Sequence, residues 1–201
     1  MNMEPVRFGV IGCGLMGREF ASVSMRWLHL ACELPRPVIV AACDLSPKNL
    51  DWFRQVPDTK YFYSDYHELL ANPEVEAVYC AVPHHLHAQV YGDVIRAGKH
   101  LIGEKPFGMD LAACEEVEAA MAGRPEVFVR CASEFPFYPA VQQMVKWYRE
   151  GAFGQIIEAR FAIKHSSDMD LAKPINWKRM RAANGEYGLS LIHISEPTRP
   201  Y

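Results

Sequence analysis

The sequence has no Cys-x-x-Cys pair, no internal repeat, no excess of basic residues, and no apolar run near the ~18 residues that suggest a membrane span. Each absence removes a class of function. Six cysteines, Cys13, Cys32, Cys43, Cys80, Cys114 and Cys131, stand singly, so they read as reduced thiols and not as a disulfide frame or a zinc ribbon. With 21 Lys and Arg against 24 Asp and Glu, the formal charge is -3 and there is no electrostatic footprint for nucleic acid. The opening MNMEP lacks the basic and apolar regions of a secretory leader, so neither a membrane nor export is expected and the location expected is cytoplasmic. Half of the 201 residues are hydrophobic and 22% are charged, the balance of a globular chain long enough for one domain and part of another.

What is present begins at Val6. The run VRFGVI, Val6 to Ile11, feeds directly into Gly12, Gly14 and Gly17. The spacing G-x-G-x-x-G has a mechanical meaning. The first glycine permits a tight turn, the second lets a pyrophosphate reach the backbone, and the third lets the next helix pack against the strand. Free N–H groups at the helix start, where Leu15 and Met16 stand, favour an anion together with the positive end of the helix dipole. A second apolar run, VIVAAC, ends in Asp44, where an acid is expected to accept hydrogen bonds from an adenosine ribose. Asp44 comes later than the usual ~20 residues beyond the glycines, which a long first helix through about Cys32 would explain, with Leu15, Met16, Phe20, Val23, Trp27 and Leu30 as its apolar face. The cofactor expected is NAD and less so NADP, whose 2′-phosphate would meet a like charge at Asp44.

The alternation of strand and helix continues. Ser46 and Pro47 open a helix to about Gln55. Lys60 to Tyr63 is a short strand, Tyr66 to Ala71 a helix, and Ala77 to Val82 a buried strand. A helix from about Leu86 to Ala97 is closed by Gly98, His100 to Gly103 is the next strand, Asp110 caps a helix to about Met121, and Val127 to Ala132 ends the series. This pattern predicts a Rossmann-type α/β fold, a doubly wound parallel sheet. Beyond it, a helix over Gln142 to Tyr148 precedes Ile156 to Lys164, which alternates. Ile157, Ala159, Phe161 and Ile163 share one face, as in a half-solvated antiparallel strand of an α+β domain. The expected organisation is a dinucleotide-binding domain over 1–133, the start of an α+β substrate and oligomerisation domain over 134–188, and a non-native tail over 189–201.

Two short motifs lie at strand C-termini, where such a sheet places its crevice: PHHLH, Pro83 to His87, and EKP, Glu104 to Pro106. With GCGLMG, and with GAFGQI ahead of the one-sided strand, they make the chain resemble the glucose-fructose oxidoreductase and inositol dehydrogenase family, Gfo/Idh/MocA, from about Val6 to Gly188. The resemblance implies that Lys105 stands near the nicotinamide and the substrate hydroxyl. It also implies that Glu104 helps hold the cofactor, that Pro83, His84 and His87 meet it at the crevice, and that the whole protein is a homo-oligomer. Lys105 also has its own chemical rationale, since an ammonium stabilises the alkoxide that develops as hydride leaves a carbinol carbon. A metal centre on His84, His85 and His87 is not expected, because adjacent His84 and His85 do not converge easily on one ion and no cysteine or carboxylate lies close enough to complete four ligands. Where relatives often carry an arginine, this chain has Ser133, Glu134, Phe135 and Pro136, which leaves the substrate open. Phe135, Phe137 and Tyr138 are either a sugar-binding wall or simply core.

In the family pattern a glycine-rich turn and then D-x-G-x-H on a helix follow, supplying an aspartate and a histidine. Here NGEYG, Asn184 to Gly188, is followed instead by LSLIHISEPTRPY. Leu189 to Arg199 resemble, codon by codon, the translation of a transposase sequencing adapter, so His193 is not read as the family histidine and the tail is set aside from fold reasoning. The function expected is a nicotinamide-dependent oxidoreductase taking hydride from a secondary hydroxyl of a small sugar, cyclitol or polyol. The chain as written is expected to bind cofactor without turnover. Two alternatives stay open at this stage: a non-catalytic dinucleotide-binding regulator, and a transferase or hydrolase that uses bound NAD as an internal redox relay.

Overall fold

The computed structural model describes residues 3–30, 33–160 and 180–184. The tail over 189–201 and the later part of the expected α+β strand, 161–164, lie outside the described residues. The chain divides into two compact units, Met1–Cys131 and Ala132–Tyr201.

The first unit is built on six strands, β1 (Val6–Ile11), β2 (Pro37–Cys43), β3 (Tyr61–Tyr63), β4 (Ala77–Cys80), β5 (His100–Gly103) and β6 (Val129–Cys131). They form one sheet in the order β3-β2-β1-β4-β5-β6, every pair parallel. Helices α1 (Leu15–Met25), α2 (Pro47–Phe53), α3 (Tyr66–Ala71), α4 (His87–Arg96) and α5 (Leu111–Ala122) connect them. This is the doubly wound α/β architecture that the alternating pattern predicts, and its order reverses between β1 and β4, where such sheets open a crevice. All four residues of β4 and six of the seven in β2 are buried, which is why these strands read as unbroken apolar runs and not as alternating ones. Val40, Val78 and Leu101 from the sheet, Tyr91, Val94 and Ile95 from α4, and Val117 and Ala120 from α5 belong to one core.

Helix α1 departs from its expected course. It stops at Met25 and gives way to a single 3-10 turn over Trp27–His29, so the helix, the turn and the loop after it together account for the late arrival of Asp44. Its buried residues are Gly17, Ala21 and Ser24, whereas Leu15 and Val23 are 66% and 57% exposed. The glycine motif sets this phase: once Gly17 faces the strand, the positions four and seven later must face it too, and small residues let the helix lie close. Phe20 alone of the expected face is well engaged, stacked on Tyr79 at 4.2 Å and edge-on to Phe8 at 5.2 Å. At the other helix starts Asp65 and Asp110 act as caps, accepting from the N–H of His67 and Ala113, while the Ser46 side chain makes no such bond.

In the second unit a 3-10 turn over Phe135–Phe137 leads into α6 (Pro139–Arg149), and α7 is the short Arg181–Asn184. Phe135 meets Tyr138 edge-on, and Trp147 meets Phe153 in the same way. The strand expected from Ile156 is not formed over its described part, 156–160. Alternation chooses a face, but a strand exists only when another strand takes up its backbone groups, and the described residues supply none here. Ile157 is accordingly 96% exposed.

Candidate functional site

Four segments gather at the C-terminal ends of the parallel strands: the glycine loop after β1, Asp44 after β2, the loop over Ala81–His87 after β4, and the Glu104–Pro106 turn after β5. The three glycines do three different things. Gly12 has φ +91°, and a Cβ there would stand 2.6 Å from the carbonyl oxygen of Ala81. Its N–H donates to the carbonyl of Cys43, so it is pinned between the ends of β2 and β4. A Cβ on Gly17 would collide with the carbonyl oxygen of Gly12, so the start of α1 can lie against the loop only without one. Around Gly14 nothing lies within 4 Å of such an atom. Its surface is the open one, as expected where a pyrophosphate approaches. No side chain caps α1, which leaves its first N–H groups, at Leu15 and Met16, for a ligand.

Asp44 is held more fully than its motif suggests. One carboxylate oxygen accepts from the Cys13 backbone N–H at 2.8 Å and from the Asn49 side-chain amide at 3.1 Å; the other accepts from the Ser46 N–H at 2.7 Å. Asn49 in turn accepts from the Arg18 guanidinium at 3.1 Å, and Arg18 lies 5.1 Å from the Trp52 ring centroid. The carboxylate therefore ties β2 to the glycine loop before any ligand arrives. Cys13 between the first two glycines is wholly buried, and burial pushes its thiol pKa well up, with Asp44 adding to the effect. It is packing, not a nucleophile.

The Lys105 turn is fastened from behind. The hydroxyl of Tyr91 donates to the Glu104 backbone carbonyl at 2.7 Å, and the hydroxyl of Tyr79 donates to the Glu104 carboxylate at 2.7 Å. The other carboxylate oxygen accepts from the Lys105 N–H at 3.2 Å. The Lys105–Pro106 peptide is cis. Lys105 itself is half-buried. Its neighbour Glu104, expected to help hold the cofactor, is only 7% exposed and spends its carboxylate on the turn.

The histidine motif needs a correction. Pro83 opens a 3-10 turn over His84–Leu86, and His84 is buried. His87, expected to meet the cofactor, is fully buried instead, with Nδ1 at 2.6 Å from the Pro106 carbonyl and Nε2 at 2.9 Å from the Val82 carbonyl. Its position as the first residue of α4 turns the ring inward onto Tyr91, with centroids 4.7 Å apart. The ring thus faces the core side of the loop after β4.

Sequence reasoning passed over Asn49, Tyr79 and Tyr91. The last two had a signal. A tyrosine inside a strand buried on both faces needs a partner for its hydroxyl, and Tyr91 follows His87 at the four-residue spacing that stacks side chains on a helix.

A family model described as an oxidoreductase family with an NAD-binding Rossmann fold, GFO_IDH_MocA, matches residues 6–130, more than half of the chain. The chain belongs to this family. The matched stretch takes in all the residues described above, from the glycine loop to the Lys105 turn. Among curated relatives, levoglucosan dehydrogenase from Pseudarthrobacter phenanthrenivorans is 26% identical over 98% of this chain and 51% of its own length. Human trans-1,2-dihydrobenzene-1,2-diol dehydrogenase is 28% identical over 94% of this chain and 48% of its own. The chain thus spans about half the length of the curated relatives it matches. Among solved structures, levoglucosan dehydrogenase in complex with NADH and L-sorbose aligns with a TM-score of 0.79 at 23% identity, covering 91% of this chain and 49% of that one. Scyllo-inositol dehydrogenase from Lactobacillus casei with NAD(H) and scyllo-inositol aligns at 0.65 and 22%, covering 75% and 43%. These similarities place this Gfo/Idh/MocA chain on the same fold.

Proposed function

We propose that the chain is the cofactor-binding part of an NAD-dependent dehydrogenase whose substrate carries a secondary hydroxyl on a sugar, a cyclitol or a related polyol. The observation that carries this reading is the placement of Lys105: it stands on a rigidly fastened turn at the same sheet edge as the glycine loop, one strand beyond the switch point. Bound NAD supplies the hydride acceptor. The glycine loop and the α1 N-terminus hold the pyrophosphate, Asp44 accepts from the adenosine ribose, and Pro83 and His84 shape the crevice beside it. The ammonium of Lys105 stabilises negative charge on the substrate oxygen as its C–H bond breaks. The relatives named for levoglucosan, scyllo-inositol and a dihydrodiol support a hydroxyl-bearing substrate.

The domain reading that accompanies this has residues 1–133 as the dinucleotide-binding domain, 134–188 as the start of a substrate and oligomerisation domain, and 189–201 as non-native. On this reading the chain supplies the dinucleotide-binding half of the site, and turnover is expected only where D-x-G-x-H is also present. The test is NADH titration by calorimetry, followed by assay against a polyol panel both with this chain and with a version extended through D-x-G-x-H. Failure to bind NADH at millimolar concentration would sink the reading. So would turnover by the present chain that survives Lys105→Ala.

A further inference from the structure

We propose that His87 is a positioning residue for Lys105: its ring fastens the Glu104–Pro106 turn to the loop after β4, holding one carbonyl when neutral and both when protonated. This rests on the reading of Lys105 above. The geometry is specific. The two ring nitrogens lie 2.6 and 2.9 Å from carbonyl oxygens that belong to different strand-end segments, Pro106 after β5 and Val82 after β4. A neutral imidazole has one N–H donor and one lone pair, and a carbonyl oxygen accepts only. Neutral His87 therefore bonds one of the two carbonyls and sets its lone pair against the other; the imidazolium bonds both.

Nothing in this pocket lets water take the second carbonyl's place at the ring, because the His87 side chain is fully buried and stacked on Tyr91. Tyr91 acts in the same direction, since its hydroxyl holds the carbonyl of Glu104 on the same turn. A Cβ on Gly103 would meet the Tyr91 ring at 2.7 Å, so β5 ends flush against this pair. The ring pair thus holds the turn bearing Lys105 at two backbone carbonyls, two residues apart. Facing the imidazole, the titratable groups are His84 and His85 on the preceding 3-10 turn and Tyr91 on α4, and Tyr91 in turn faces Tyr79 and Cys80 on β4, Glu104 on the turn and Cys131 on β6. Burial, the largest effect, lowers the pKa of His87, and His85 adds to that; the two carbonyls raise it. The one-carbonyl state is accordingly the neutral-pH state, and because opening the pocket returns the ring to its ordinary pKa, acid favours release of the turn.

Hydrogen exchange by mass spectrometry on the full chain reads this directly. In His87→Phe, which keeps a ring against Tyr91 but removes both nitrogens, peptides covering 82–87 and 104–108 are expected to exchange roughly five- to tenfold faster, the loss of one hydrogen bond, while β1 and β2 peptides stay within about twofold. In the wild type, after correction for intrinsic exchange, the 104–108 peptide loses protection on acidification through the imidazole range; in His87→Phe this pH response is absent. Uniformly faster exchange, or equal pH response in both proteins, would overturn the proposal. If the variant does not fold, nitrogen-15 shifts of the His87 ring in the wild type decide: a single fixed N–H at neutral pH, with protonation only below the ordinary imidazole range, supports it, and a ring that averages both tautomers sinks it. Loss of NADH binding by the wild type would refute the functional reading and leave these exchange results standing, so the two failures are separable.

Discussion

Asp44→Asn tests two roles of one side chain. The structure puts backbone donors on different carboxylate oxygens, Cys13 N–H on one at 2.8 Å and Ser46 N–H on the other at 2.7 Å. An amide has one acceptor oxygen, so asparagine keeps one of these bonds and turns its NH2 toward the other N–H. The loss of a bond to a charged acceptor is worth ~1.5–3 kcal/mol. At about 3–5 °C per kcal/mol for a unit of this size, the melting midpoint should fall by roughly 5–15 °C, with the glycine loop released from β2. Cofactor selectivity should change in the same variant. NAD loses a charged acceptor for its ribose, while NADP is relieved of repulsion worth on the order of 1–4 kcal/mol per charge pair at ~4 Å. The NAD-to-NADP affinity ratio should therefore drop by at least about tenfold. Calorimetric titration of both cofactors and a thermal melt on the same preparation give both numbers. A variant that melts within ~1 °C of wild type and discriminates as before would refute the argument, because it would mean that neither the loop nor the ribose leans on this carboxylate.

Further outcomes follow from the same geometry. Gly14→Ala, with open space around its Cβ, should melt within ~0.5 kcal/mol of wild type yet weaken NADH binding at least about tenfold, whereas Gly17→Ala, which collides with the Gly12 carbonyl, should lose both stability and binding; equal melts would contradict this split. Burial raises the thiols of Cys43 and Cys80 to about 12 and that of Cys13 further, so thiolate is scarce until strongly alkaline pH; at pH ~8 a disulfide reagent should leave all three unlabelled in the native protein, and rapid labelling of Cys13 would show the glycine loop to be open. Ending the chain at Cys131, where the first compact unit ends, removes exposed Phe137, Tyr148 and Ile157 and should raise solubility while NADH binding persists; loss of binding would show that the first unit does not stand alone.

The sheet was legible because its strands β2 and β4 are buried on both faces, and an apolar run such as VIVAAC between a proline and an aspartate has few other readings. The parallel, doubly wound character of the sheet followed from the alternation of strand and helix. The face of α1 was not legible from hydrophobic periodicity, because the demand of Gly17 for backbone contact outranked the apolar pull of Leu15 and Val23, which the helix leaves exposed. His87 was misdirected for a related reason. A motif names a residue and its loop, but whether the side chain faces ligand or core depends on the helix phase, and as first residue of α4 it points inward. Over its described part, 156–160, the strand expected from Ile156 is not formed, since no local pattern supplies the partner on which a strand depends.

The two halves of the site are held rigid by different chemistry, and this bears on how a cofactor would meet them. On the adenosine side a carboxylate does the holding, through N–H donors on Cys13 and Ser46 that would otherwise bind water or anion. On the Lys105 side the fastenings are two tyrosine hydroxyls and an imidazole, all drawn from buried positions on β4 and α4. The first arrangement leaves a charge at the crevice, useful for reading a ribose. The second is built from neutral hydroxyls and an imidazole, and the Glu104 carboxylate is occupied by Tyr79 and the Lys105 N–H. Both place the ordering cost in folding and not in binding, so a ligand arriving at this edge finds its donors already aimed. Loosening the second set should therefore weaken NADH binding even though no contacting group is removed, so His87→Phe is expected to bind NADH more weakly than wild type while Asp44→Asn loses both a contact and its loop.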